Sequence, residues 1–399
     1  MRHLQTYNFK NRCALVRADL NVPIQHGRVL DDSRIVASLN TVRTIIQQGG
    51  KVVLLSHLGR PSPGSFAAEY SLRPVAERLA QLLARPVTFI QDCMHSEAVA
   101  HVDALPYGGV MLLENLRFWP GECNNDPQWA QKLSEWGDVY VQEAFGMLHR
   151  AHASMTHLAL QYTDRLVGLL VQKEMQAADR LLHKARPPYT VLVGGKKVAD
   201  KLPPLRRLLL HINTLLVAGG AATCFQHAAS LQDAAHQSAV KELLETARHH
   251  NVEVVLPQDV VAACPLPPTS PPKLFDAHLV PAKWQALDIG VKTRGYFSSI
   301  LRNSQTLLWC GPVGVFEHED FQEGTISMIK AFGHATERGA FTAVGGGESA
   351  AAFTMFRSNE QVSYISTGGS ALLAYLAGSS LPGLEALQAT TKQGVSIQV

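Results

Sequence analysis

Two groups of residues in this 399-residue chain have the types and spacing for chemistry on phosphate. The first is the stretch Tyr189–Lys201, YTVLVGGKKVADK. Thr190–Val193 is a short apolar run of the kind that forms a buried parallel strand. Gly194 and Gly195 follow, then Lys196, Lys197 and Lys201 around an expected helix start. Adjacent glycines let backbone N–H groups approach an anion closely. A helix N-terminus adds a favourable dipole, and the lysines supply mobile positive charge. The pattern G-x-x-x-x-G-K-[ST] occurs nowhere, so this is not the usual phosphate loop. Taken alone, the stretch reads equally well as a glycine turn with solvated lysines.

The second group is polar and mostly basic. Asp19, Asn21, Arg34, His57, Arg60, Arg117 and Arg150, with His149 and His152, gather around the ends of successive apolar runs. Guanidinium forks pair bidentately with carboxylate and phosphate. Singly, each arginine reads as a surface residue; five basic groups at successive strand ends do not. His149 and His152 are spaced i, i+3 but have no acidic or Cys partner beside them, which favours structural or anion-facing roles over zinc.

The elements that must position these groups alternate strand, glycine- or proline-containing loop and helix. In the first half, strands are expected at Cys13–Ala18, Lys51–Ser56, Val87–Ile90, Val110–Glu114 and Asp138–Gln142. Helices are expected at Arg34–Gln48, with Ile35, Val36, Leu39, Val42, Ile45 and Ile46 on one face, and at Leu72–Leu83. In the second half, Val171–Lys184 reads as an uninterrupted helix. Strands follow at Thr190–Val193, Thr214–Ala218, Val252–Leu256, Thr306–Trp309, Phe341–Val344 and Val362–Ser366, with a helix near Ser349–Phe356. Such alternation implies βαβ units and parallel sheets, and ligands bind off the carboxyl ends of such strands. There the second half offers glycine turns: Gly194/Gly195, Gly219/Gly220, Gly311, Gly345–Gly347 and Gly368/Gly369. One half therefore reads as a holder of a small polyanion, the other of a nucleotide. The natural divide falls near Gly168. Cys264–Lys273, CPLPPTSPPK, reads as an exposed connection.

Two other patterns fail on inspection. Gly345-x-Gly347-x-x-Ala350 fits a dinucleotide fingerprint, but the next strand ends in Thr367-Gly368-Gly369 and offers no acid for a ribose, which disfavours a dehydrogenase. Gly347-Glu348-Ser349-Ala350 echoes a nucleophile elbow, yet no histidine follows Ser349. Composition narrows the rest. A net charge of +3 is too mild to argue for nucleic acid, and no apolar run is long enough for a membrane span. The six scattered cysteines and the absence of an apolar leader at the N-terminus lead to the expectation of a cytoplasmic protein with reduced, mostly buried thiols.

At this point the chain resembles phosphoglycerate kinase. The resemblance rests on VRADLNVP, DDSRI, LSHLGRP, LLENLRFWPGE, EAFGMLHRAHAS, GGKKVADK, GPVGVFE, GGGES and STGGS, in the family's order over nearly the whole length. It implies an α/β fold of two doubly wound parallel-sheet lobes joined by a helix, with a C-terminal tail returning to the first lobe. The lobes would be 1–168, with the tail at about 380–399, and 169–379, with the joining helix at about 171–184. It implies reversible phosphoryl transfer between 1,3-bisphosphoglycerate and ADP, with Mg²⁺, by a monomer that closes to bring two sites together. On the family match, 3-phosphoglycerate would be held by Asp19, Asn21, Arg34, His57, Arg60, Arg117 and Arg150. Arg34, Lys197 and Lys201 would serve the transfer, and Glu317 the ribose. The nucleotide would lie against Gly194, Gly195, Lys197, Lys201, Gly219, Gly220, Cys310, Gly311, Pro312, Glu317, Gly346, Gly347, Glu348 and Ser349, with Glu348 at the metal.

Departures from the family pattern cluster on the nucleotide side. Cys310 stands where the family has Asn, exchanging a carboxamide donor for a thiol. Glu348 replaces an Asp at the metal, Lys196 an Ala, Ser370 a Gly, and Ala218 the first of three glycines. Pro203 and Pro204 follow Lys201, and the helix start is expected to shift. On the first lobe the acid of D-A-F-G is Glu143. The expectation is a working kinase with weakened nucleotide binding, partly offset by Lys196. The alternative is a family member that keeps the phosphoglycerate basket as a binding or regulatory protein.

Overall fold

The strands expected from apolar runs form, and their ends shift by only a residue or two. The computed structural model describes residues 1–95, 99–195, 199–226, 234–264, 271–357 and 360–389. Along the first part of the chain the strands are β1 (Arg2–His3), β2 (Cys13–Arg17), β3 (Ile24–Gln25), β4 (Arg28–Val29), β5 (Lys51–Leu55), β6 (Val87–Ile90), β7 (Val110–Leu113), β8 (Val139–Gln142) and β9 (Arg165–Val167). Seven of these make one sheet, ordered β1-β9-β8-β2-β5-β7-β6 and parallel throughout, while β3 and β4 form a small hairpin. Then come β10 (Tyr189–Val193), β11 (Thr214–Val217), β12 (Glu253–Val255), β13 (Asp259–Ala263), β14 (Lys273–Asp276), β15 (Gln285–Ile289), β16 (Thr306–Cys310), β17 (Phe341–Gly345) and β18 (Tyr364–Ile365). Six make a second parallel sheet, ordered β12-β11-β10-β16-β17-β18. The remaining three form an antiparallel sheet, β14-β13-β15, which strand–helix alternation did not foresee.

Helices cover the sheets with apolar stripes. On Ser33–Gln47, Ile35, Leu39, Val42 and Ile45 are buried, but Val36 is 46% exposed. At 3.6 residues per turn it points about 100° away from Ile35, off the stripe on which it was expected. Pro203 and Pro204 occupy the second and third positions of the helix Leu202–Leu208, after a 3₁₀ turn at Ala199–Lys201. Amides of the first helical turn have no intrahelical acceptor, so two prolines fit there.

The chain divides into two compact units, Met1–Met175 with Ser380–Val399, and Gln176–Ser379. The divide lies within the helix Leu169–His183 rather than just before it. In the first unit the helix Pro382–Gln388 lies against residues far earlier in sequence. Gly383 N donates to Leu148 O at 3.1 Å, and Arg165 donates to the carbonyls of Ala386 and Ala389 at 2.9 and 2.6 Å. None of the six cysteines forms a disulfide; Cys13, Cys93 and Cys310 are buried, while Cys123 is exposed, contrary to the expectation of mostly buried thiols. Among the described residues no helix is long and apolar enough to cross a membrane.

Candidate functional site

Strand register brings the chemistry of the first unit together. Arg17 pairs across from Leu55 and from Gln142, so β2, β5 and β8 end level with one another. The residues that follow, Asp19, His57 and the segment beyond Glu143, therefore emerge along one edge. Two side-chain amides hold the loops there. Asn115 is fully buried, accepts from Leu58 N at 3.1 Å and donates to Leu58 O at 2.7 Å and Tyr70 O at 2.9 Å. Asn21 Oδ1 accepts from Gly59 N at 2.9 Å, and Arg117 Nη1 donates to Gly59 O at 2.6 Å.

The edge is strongly cationic. Arg34 Nη1 ion-pairs with Asp19 Oδ2 at 2.6 Å. Burial holds His57 well below the usual imidazole range, and the charges of Arg17, Arg117, His152 and Arg34 push the same way. Burial likewise lowers Arg117, with Arg17 and Arg150 adding to it. His149 is lowered by burial and by Arg150 and His152. Of the nine residues expected here, Asp19, Arg34, His57, Arg117, His149, Arg150 and His152 thus share one electrostatic environment, and Asn21 braces its loop. Arg60 follows Gly59 with an exposed side chain. Five buried side-chain nitrogens of this cluster have no hydrogen-bond partner: Arg17 Nη2, His57 Nδ1, Arg117 Nε, His149 Nδ1 and His152 Nδ1. Buried polar groups are normally paired, so unpaired nitrogens gathered in one place, guanidinium nitrogens among them, point to an anionic ligand.

Arg17 and Glu122 were not singled out from sequence. Both are fully buried. Arg17 Nε donates to Ser154 Oγ at 2.7 Å, and Glu122 accepts from Ser154 N at 2.9 Å and Ser154 Oγ at 2.6 Å. His152 Nδ1 lies 3.6 Å and Arg17 Nη2 3.8 Å from Glu122 Oε1. The one local signal was a charged residue closing the otherwise apolar β2. Glu122 carries none, because its partners lie some thirty residues further on. Among the described residues no group of three metal-ligating side chains forms, so His149 and His152 are not part of one.

In the second unit, Val193 pairs with Val217 and with Cys310, and Cys310 with Gly345. Four strands thus end level, and their glycine turns line a cavity of about 660 Å³. The helices Gly219–Gln226, Gly347–Phe356 and Ser370–Ala377 all begin at its wall. Their N-terminal dipoles and free amides make it a place for phosphate. Gly311 is essential to its shape. Its φ is +95°, and a Cβ there would sit 2.3 Å from Gly194 O and 2.8 Å from Lys201 Nζ. Lys201 reaches back to hydrogen-bond Gly194 O. Burial lowers its ammonium pKa, while Cys310, Glu348 and Asp200 pull it up.

Of the residues expected around a nucleotide, Gly195, Lys201, Gly219, Gly220, Cys310, Gly311, Pro312, Glu317, Gly346, Gly347, Glu348 and Ser349 line this cavity. Gly194 does not; it lies behind the wall, its N–H donating to Cys310 O at 3.0 Å. Lys196 and Lys197 lie outside the described residues. Ser349 is fully buried, and its Oγ accepts from Gly311 N at 2.6 Å, which fixes the loop and leaves no role as a nucleophile. Burial pushes the Cys310 thiol up to about 12, with Lys201 pulling against it. The cavity is also lined by Gln285–Leu287 of β15, Gly314 and Val315, which sequence reading did not place there.

A cationic cluster with unpaired donors on one parallel sheet, and a glycine-walled cavity ringed by helix N-termini on another, define a two-unit α/β protein that handles phosphorylated ligands. The phosphoglycerate kinase family model matches residues 4–379. Similar curated proteins include the phosphoglycerate kinase of Moorella thermoacetica, 40% identical over 96% of this chain and 98% of the relative, and that of Herpetosiphon aurantiacus, 41% identical over 94% and 95%. Among solved structures, phosphoglycerate kinase from Coxiella burnetii matches with a TM-score of 0.82 at 34% identity, covering 96% of this chain and 98% of that one. That from Pyrococcus horikoshii matches at 0.81 and 30%, covering 97% and 98%. The chain belongs to the phosphoglycerate kinase family.

Proposed function

We propose that this chain catalyses reversible phosphoryl transfer between 1,3-bisphosphoglycerate and ADP, giving 3-phosphoglycerate and ATP, with the acid on the first unit and the nucleotide on the second. Family membership supports the kinase reading, and no comparison favours a purely binding or regulatory protein. The observations that carry the assignment of sites are the buried nitrogens without a hydrogen-bond partner in the first unit, His57 Nδ1 and Arg117 Nε among them, and the acid-bearing phosphate cavity in the second.

In this reading Asp19, Asn21, Arg34, His57, Arg60, Arg117 and Arg150 hold the phosphoglycerate. Phosphoryl transfer needs in-line positioning and charge neutralisation more than covalent help. Arg34 presents the rest of its guanidinium to the transferring group while Asp19 fixes one nitrogen. Lys201 neutralises phosphate from the cavity side, and Lys197 is assigned to the transfer on its motif alone. Glu317, exposed at the wall, takes the ribose hydroxyls. Mg²⁺ fits the site: an ion held mainly by nucleotide phosphates needs one or two carboxylates, and Glu348 lines the cavity with its Oε2 3.8 Å from the point where a Cβ on Gly195 would stand. Bound there, it would neutralise phosphate charge. The chemistry requires the two half-sites to come together and exclude water from the acyl phosphate. We place the protein in the cytoplasm as a monomer.

A coupled assay with ATP and 3-phosphoglycerate tests this. The wild type should turn over. Arg34→Ala should lower kcat by about 10²–10³-fold, and Lys201→Ala should raise the ADP KM. Tight 3-phosphoglycerate binding by calorimetry without turnover would instead favour the binding protein.

A further inference from the structure

Asp288 is the penultimate residue of β15, next to the cavity-lining Leu287. It is only 3% exposed. Its Oδ2 accepts from Gly324 N at 2.7 Å, in the first turn of the helix Glu323–Glu337, and its Oδ1 from Ile289 N at 2.8 Å. Two glycines crowd the same carboxylate. A Cβ on Gly314 would lie 2.4 Å from Oδ1, and a Cβ on Gly324 would lie 2.1 Å from it. Gly314 belongs to the loop that runs along the cavity wall from Gly311 to Glu317. Next to it, Val315 N donates to Leu287 O at 2.8 Å.

We infer that Asp288 is a positioning residue for nucleotide binding, pinning the Gly311–Glu317 loop between β15 and the helix Glu323–Glu337. The inference rests on the assignment of this cavity to the nucleotide. The carboxylate fills the space left by the two missing Cβ atoms, so the loop cannot settle toward the helix. The loop in turn fixes Pro312, Val315 and Glu317 at the wall. Burial pushes this carboxyl up to about 7 against the pull of the Gly324 and Ile289 amides. A buried acid of this kind is not what stability alone selects. Asparagine has nearly the same shape, but its amide can face Gly324 N–H with only one acceptor.

The test compares Asp288→Asn and Gly324→Ala, whose methyl group would displace the carboxylate from a position away from the cavity wall. Both should raise the ADP KM about tenfold, as expected for loss of a hydrogen bond to a charged group. The 3-phosphoglycerate KM should stay within about twofold of wild type, a split that general destabilisation would not produce. ADP binding to the wild type by calorimetry is measured alongside. If the wild type binds ADP and both variants keep its ADP KM, the positioning role is wrong. Equal rises in both KM values would also overturn it. If the wild type binds no ADP, the nucleotide assignment itself fails, and the inference with it. Should Asp288→Asn not fold, Gly324→Ala decides alone.

Discussion

A thiol stands in the cavity wall. Cys310 is buried at the end of β16, and its sulfur lies 3.4 Å from the point where a Cβ on Gly345 would stand. Pushed up to about 12, it stays protonated at neutral pH and offers phosphate only a weak S–H donor. Cys310→Asn should lower the ADP KM by about tenfold or more and leave the 3-phosphoglycerate KM alone, as steady-state assays would read. An unchanged ADP KM would mean that the side chain at 310 does not meet phosphate. On the first unit the corresponding lever is Glu122. Its carboxylate takes both the amide and the hydroxyl of Ser154, and its carbonyl takes Ala153 N at 3.0 Å. Glu122→Gln should loosen the segment that carries His149, Arg150 and His152. The 3-phosphoglycerate Kd should rise about tenfold with ADP affinity unchanged, measured by calorimetry with each ligand in turn.

At the scale of elements, the helix Leu169–His183 begins on a buried acid. Both oxygens of Glu143 lie 3.2 Å from Leu170 N. Burial pushes the carboxyl up to about 8, against the pull of Thr41 and the amides of Leu170 and Val171. Such a group binds more protons folded than unfolded between about pH 4.5 and pH 8. Its contribution to stability therefore falls as pH rises through that window. Urea unfolding of the wild type and Glu143→Gln should show it: the advantage of the wild type should shrink by about 1–3 kcal/mol from pH 5.5 to pH 8. A constant difference would place the titration elsewhere.

The same scale explains what was legible beforehand. β2, β5, β7, β8, β10, β11, β16 and β17 are largely apolar runs that give way within a few residues to glycine or charge, so their existence and the groups at their ends could be read directly. The antiparallel sheet could not. β14, Lys273–Asp276, is mostly exposed, has little apolar pattern, and follows a proline-rich connection. Hence Gln285–Leu287 and Asp288 came as additions to the site. Arg17 and Glu122 were invisible for another reason. Whether a charged side chain is buried depends on partners such as Ser154, 137 residues from Arg17, and nothing local records that.

At the scale of the molecule, each unit carries its own core, and the first includes the helix Pro382–Gln388. Ala386 and Leu387 are buried there, and Gly383 sits against Leu148 and Met155. A chain stopped after Ser379 should keep ADP binding, while its first unit melts about 5–10 °C earlier by calorimetry. Loss of ADP binding in step with that melting would show that the second unit does not stand alone.

That returning helix also sets an order of assembly. On the ribosome, Met1–Met175 emerges first, but its last ten described residues, 380–389, are made only after all of Gln176–Ser379. The second unit is a single uninterrupted stretch and can finish as soon as it is released. The first waits through some two hundred further residues with Leu148, Met155 and Arg165 uncovered, at synthesis speeds of about 5–20 residues per second. The half of the protein that is born first is completed last. During that interval it is the part that a chaperone has reason to hold.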